Sequence, residues 1–149
     1  MTDVVAERRG DVAWVRLNRP DRMNAYDAAM AHELREAIRS ASDAGVIVIT
    51  GTGRAFCAGG FLANLANPNP NELRAMFFGS LELFEVIRTS PRPVIAAVNG
   101  AAAGGGNELV VACDFAIAAR SAKLGQTGPR VGSAPVLGGT NMMAINVGE

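Results

Sequence analysis

Hydrophobic and polar residues alternate through VAWVRLN at 12–18, the period-two pattern of a strand with one buried face. The next stretch, RPDRMNAYD, is polar and turn-forming, and Asp27 stands where it would cap a helix running to about Ala41. VIVIT at 46–50 breaks the alternation. A continuous β-branched run ending at Gly51 predicts a strand covered on both faces. After the NPNPN link at 67–71, Leu73, Met76, Phe77, Leu81, Phe84 and Ile87 fall at helical spacing and predict one buried helix face. PVIAAVNG predicts another buried strand, the glycine-rich stretch behind it opens a helix through about Ala112, and FAIAA reads as a further strand. Strands alternating with crossover helices give an α/β fold in one domain, residues 1–149, without internal repeat or low-complexity segment.

Composition narrows the function classes. The chain has 149 residues, 49% of them hydrophobic, enough apolar material for one core. Lys+Arg and Asp+Glu both total 14, so no net field draws nucleic acid or an anionic membrane, and an anionic partner must be gripped locally. Asn99, Asn107, Glu108 and Asp114 interrupt the longest apolar region, which argues against a membrane-spanning helix. MTDVVAERRGD has no hydrophobic signal core, and Cys57 and Cys113 lie in apolar surroundings, so a cytoplasmic protein with two small buried thiols is expected. His32 lies in a polar helix with no partner in view. Nothing in the pattern points to a metal site.

Three loops that follow strands carry the unusual chemistry: GTGRAFCAGG after VIVIT, NGAAAGGGNE after PVIAAV, and GQTGPRVGSAPVLGGT after FAIAA. Glycines let backbone approach a ligand closely, and a helix start leaves N–H groups without intrahelical partners. The first two loops could therefore aim two amides at one oxygen. Each also reads as a plain tight turn, and Glu108 also reads as a solvated first-turn carboxylate favoured by the helix dipole. The run Gly104-Gly105-Gly106 lacks dinucleotide-fingerprint spacing, which argues against NAD.

GRAFCAGG, then PVIAAVNGAAAGGGNELVVACDFAIAA, then LGQTGPRVG with LGGT resemble, in order and spacing, the signature segments of the crotonase superfamily, the enoyl-CoA hydratase/isomerase group. VRLNRPDRMNAYD is similar to that family's first strand and turn. The resemblance implies a repeated ββα spiral and an enzyme acting on an acyl-CoA thioester through an enolate. It implies an oxyanion hole from the amides of Gly60 and Gly105, flanked by Gly59 and Gly104, with Glu108 as acid/base. It places coenzyme A, part of the substrate rather than a tightly bound cofactor, along Arg22, Arg54 and Ala58. It also implies a homotrimer or a hexamer of trimers, with no nucleic-acid or membrane partner.

The departures from that pattern reshape the expectation. The second glutamate of hydratases falls at Gly128. GQTGPRVGS is instead similar to dihydroxynaphthoyl-CoA synthases and to ring-opening oxo-cyclohexene carbonyl-CoA hydrolases. In the synthases bicarbonate at Gln126, Thr127 and Gly128 replaces the carboxylate and Ser133 touches substrate, yet their aspartate falls at Pro135 here. Phe61 stands where the family usually has Asp. Family subunits are nearly twice as long, so this chain is expected to be the N-terminal part of a longer subunit, stopping inside a helix without the C-terminal helical part. An enoyl-CoA hydratase or isomerase, a ring-opening hydrolase or synthase-like enzyme, and an inactive acyl-CoA-binding homologue all remain open.

Overall fold

The computed structural model describes residues 2–60, 69–135 and 138–148. The predicted strand at 12–18 forms β2 (Val12–Leu17), and an antiparallel strand, β1 (Val4–Arg9), pairs with it from Val4 opposite Leu17 to Arg9 opposite Val12. The sequence pattern missed β1. It is an edge strand with only Val4 buried, so VVAERR has no apolar face to reveal. Beyond β2 the sheet is parallel, in the order β2, β3 (Val46–Gly51), β5 (Val94–Val98) and β7 (Phe115–Ala118).

A second, three-stranded parallel sheet holds β4 (Ala55–Cys57), β6 (Ala101–Ala103) and β8 (Leu124–Gly125). These strands are two or three residues long, too short for periodicity to announce them. The described helices are α1 (Ala28–Ser40), α2 (Pro70–Arg88), α3 (Gly105–Ala112) and α4 (Met142–Val147). Chain order produces one unit several times: a strand of the large sheet, a strand of the small sheet, then a helix. It recurs as β3–β4–α2 and β5–β6–α3, and in β2 and α1 the small strand shrinks to one parallel bridge between Tyr26 and Gly60. This is the ββα spiral, a structural repeat without a sequence repeat.

Asp27 caps α1 as expected, accepting from Met30 N at 3.0 Å. Met30, Leu34 and Ile38 of α1 cover Val15, Leu17, Ile47, Ile49, Val94, Ala96 and Val98 of the large sheet, forming one core. Each fully buried Leu or Ile there contributes about 2 kcal/mol.

The predicted face of α2 needs correction. Its buried residues are Met76, Gly79, Ser80, Leu83 and Ile87, whereas Phe77 and Leu81 are exposed. The helix packs on α1, and Arg35 of α1 donates from Nη1 to the Gly79 carbonyl at 2.7 Å. The small residues Gly79 and Ser80 therefore turn toward the neighbour and rotate the bulkier Phe77 and Leu81 outward. Arg35 also approaches His32 Nδ1 at 3.3 Å through Nη2, the partner that the sequence left unseen. The last described helix ends at Val147 with Gly148 as its C-cap at φ 76°. Phe61 lies outside the described residues.

The turn after β2 is held by Asn24, fully buried and in the left-handed region at φ 56°. Its Oδ1 accepts from Arg19 N at 2.9 Å, while Nδ2 faces the carbonyls of Thr52, Ala55 and Phe56 at 3.0, 2.9 and 3.2 Å. Asparagine tolerates this φ, and its amide satisfies buried carbonyls that would otherwise be orphaned. Asn24→Ala is expected to destabilise the protein by about 3 kcal/mol in urea unfolding, the sum of lost hydrogen bonds and desolvated acceptors. A loss below about 1 kcal/mol would show that the turn is held elsewhere.

Candidate active site

Strand ends bring the three glycine-rich loops to one side of the fold. Gly104 caps α3 with φ 52° and ψ −122°, a backbone that L side chains rarely adopt. The two glycines behind it answer to space. A Cβ on Gly105 would lie 2.5 Å from Tyr26 Oη, and one on Gly106 2.0 Å from the Cys57 carbonyl oxygen. Gly59 reaches back from the first loop at φ 91°, where a Cβ would stand 2.7 Å from Ala103 O and 3.0 Å from Gly105 N. The first two loops thus touch backbone to backbone. Gly105 is the first residue of α3, so its N–H has no intrahelical acceptor. At the Tyr26 bridge it is Gly59 O that accepts the Tyr26 N–H, at 2.9 Å, so Gly60's own N–H is directed to the other side.

A cavity of about 120 Å³ opens where these loops meet. Its lining gathers most of the sequence-predicted residues: Ala58, Gly60, Gly104, Gly105, Glu108, Gln126, Thr127, Gly128 and Ser133. Gly59 lies just behind that wall. Arg22 and Arg54 are exposed and do not line it.

Glu108, in the first turn of α3, is only 3% exposed, which excludes the solvated reading of this residue. Its own N–H donates to Gly104 O at 3.0 Å, and its Oε1 accepts from Gly139 N at 3.0 Å. A buried carboxylate needs such donors, and the positive end of α3 adds to them. It is the one carboxylate on the cavity wall among the described residues. Gly128, at the position of the second hydratase glutamate, is packed against the third loop itself: a Cβ there would stand 2.7 Å from Ser133 O. Pro135 also lines the cavity, leaving no acid at the synthase position.

The enoyl-CoA hydratase/isomerase family model matches residues 7–149. The chain belongs to the enoyl-CoA hydratase/isomerase family. It is 44% identical over 138 residues to a probable enoyl-CoA hydratase of Rhodobacter capsulatus, covering 92% of this chain and 54% of that protein. It is 38% identical over 152 residues to a crotonyl-CoA hydratase of Syntrophomonas wolfei, covering 98% and 58%. The solved enoyl-CoA hydratase of Bacillus anthracis superposes with a TM-score of 0.93 at 35% identity, covering 99% of this chain and 59% of that one. The chain therefore spans a little over half the length of the curated relatives it matches.

Three residues of this site escaped the sequence pattern. Gly139 holds the carboxylate from a loop 31 residues downstream; it lies in the LGGT segment, but nothing local ties it to Glu108. Tyr26 and Ser80 line the cavity from the turn after β2 and from α2, and neither residue was singled out from the sequence. Burial foremost, with Cys57 and Glu108 nearby, pushes the Tyr26 phenol above its usual pKa.

Both thiols are buried, as expected. Cys57 donates to Asn24 O at 3.1 Å and Cys113 to Leu109 O at 3.2 Å, and burial raises both pKa values to about 12. Each folded thiol stays protonated where an unfolded one, near 9.0, ionises, so their contribution to stability is full below pH 9 and declines as pH rises toward 12. At pH 8 a maleimide should leave both cysteines of the native protein unlabelled and modify both in urea. Rapid labelling of the native protein, read by intact mass, would contradict this.

Proposed function

We propose that the cavity binds the reacting end of an acyl-CoA thioester and carries out enoyl-CoA hydratase/isomerase chemistry. The observation that supports this most is a buried carboxylate, Glu108, on the wall of the same small cavity that Gly60 and Gly105 line. In water addition to a 2-enoyl thioester, the Gly60 and Gly105 amides stabilise the carbonyl oxygen as charge builds on it. Glu108 takes a proton from water as the new C–O bond forms at C3, and the enolate then takes a proton at C2. Gly128 supplies no second carboxylate, so the returning proton comes from Glu108 itself or from a bicarbonate held by Gln126 and Thr127. Coenzyme A extends outward from the cavity, along Arg22 of the early turn, with Arg54 toward its phosphates and the backbone around Ala58 beside the adenine.

Replacing Glu108 with Gln preserves size and hydrogen-bonding reach but removes the base. Turnover of crotonyl-CoA, followed by thioester absorbance, should fall by at least about 100-fold, since general acid–base help typically contributes 10²–10⁴-fold. Coenzyme A affinity by titration calorimetry should change little. Retention of more than about a tenth of the activity would remove Glu108 from the chemistry.

Self-association belongs to the same proposal. Phe78, Leu81, Phe115, Ile117 and Ile145 are large apolar residues left exposed, Ile117 at 65% and Ile145 at 73%. Surface of this kind favours partners over water. Light scattering should find trimers or larger species, and a well-behaved monomer would count against it.

A further inference from the structure

We infer that the Tyr26 hydroxyl is a third donor to the thioester oxygen on which charge builds, beside the Gly60 and Gly105 amides. The inference rests on the acyl-thioester reading above and goes beyond it, because that reading gives Tyr26 no part.

Tyr26 and Gly105 are fitted to each other. A Cβ on Gly105 would meet Tyr26 Oη at 2.5 Å and ring atoms Cζ and Cε1 at 3.2 and 3.3 Å. The phenol thus takes the place of a side chain on the residue whose N–H is one of the two proposed donors. Phenylalanine would fill the ring's space equally well. The hydroxyl is what needs a reason, since a tyrosine only 4% exposed has given up most of its water. Tyr26 lines the cavity, and so does its hydrogen-bonding neighbour, Ser80.

Ser80 fixes the direction of the phenol's hydrogen. The Ser80 hydroxyl donates to the Met76 carbonyl at 2.7 Å, one turn back in α2, so toward the phenol it can only accept. Tyr26 is therefore the donor of that pair. Burial foremost, with Cys57 and Glu108 adding to it, holds the phenol above its usual pKa, so it keeps its hydrogen at neutral pH.

In the empty cavity that hydrogen goes to Ser80, a neutral acceptor. An oxyanion is a better one, because charge-assisted hydrogen bonds are about twice as strong as neutral ones. Rotation about the Cζ–Oη bond redirects the hydrogen without moving the ring. A neutral thioester carbonyl competes with Ser80 on nearly equal terms, so the gain appears only as charge develops. It raises kcat and leaves substrate affinity almost unchanged.

Acetoacetyl-CoA reports on this oxygen, because its C2 proton is acidic and its enolate absorbs in the near ultraviolet where the keto form does not. On the intact protein, Tyr26→Phe should raise the pH at which half of the bound ligand is enolate by about one pH unit, a roughly tenfold loss of enolate stabilisation. Its crotonyl-CoA turnover should fall at least about 10-fold with KM little changed, against the 10²–10³-fold typical of losing a principal oxyanion donor. Ser80→Ala removes the rival acceptor and should move the enolate midpoint the other way. An unchanged midpoint in Tyr26→Phe would overturn the inference whatever happens to turnover, leaving the phenol as packing against Gly105. So would a rise in Ser80→Ala, which would make the two hydroxyls a joint support for the start of α3. If Tyr26→Phe does not fold, Ser80→Ala decides alone, and a midpoint that stays in place overturns the inference. In these outcomes the acyl-thioester reading survives, whereas failure of the unaltered protein to bind acetoacetyl-CoA overturns the two together.

Discussion

The site depends on close contact between backbones. The Cys57 carbonyl of β4 and the Ala103 carbonyl of β6 each occupy the space that a side chain on Gly106 or Gly59 would need. Any Cβ at these places would force β4 and α3 apart, and close packing leaves no slack to absorb the shift. The first turn of α3 is thereby pressed onto the end of the small sheet. Its leading residue Gly105 and Gly60 of the first loop come to line one cavity, and Glu108, one turn further on, is carried to the wall of that cavity.

What keeps the two loops at this distance lies in the turn after β2. Asn24 ties that turn to the Thr52 carbonyl after β3 and to the Ala55 and Phe56 carbonyls of β4, and Tyr26 joins Gly59 through its backbone. Tyr26 Oη sits against Gly105, so one residue touches both glycine-rich loops. Arg19 closes the same region from outside, pairing with Asp27 at 2.9 Å and with Asp3. Its guanidinium thus links the chain's first described residues to the N-cap of α1, with both acids partly shielded from water. Rigid support of this kind is what an electrostatic site needs, because donors that must reorganise lose most of their advantage.

Burial of Glu108 is the costly element of the design. A carboxylate removed from water is tolerated when donors face it, and here the Gly139 N–H and the N-terminus of α3 take that role. Gly139 belongs to the third loop, so the carboxylate also joins elements far apart in sequence.

Some of this was legible in the sequence because it is local. Alternation located β2, β-branched runs located β3 and β5, and Asp27 marked the start of α1, since each depends on neighbours within a few residues. The glycine runs and Glu108 were legible as candidate chemistry, and the family resemblance suggested the roles proposed for them. Tertiary structure alone decided which face of α2 is buried, because the hydrogen bond from Arg35 to Gly79 spans 44 positions. It alone placed Gly139 on Glu108, Tyr26 against Gly105 and Ser133 in the space beside Gly128, none of which leaves a periodic trace. The pattern of residues records what each segment can bury, while contacts between distant backbones follow from how finished elements pack, and a site made of such contacts exists only once they have met.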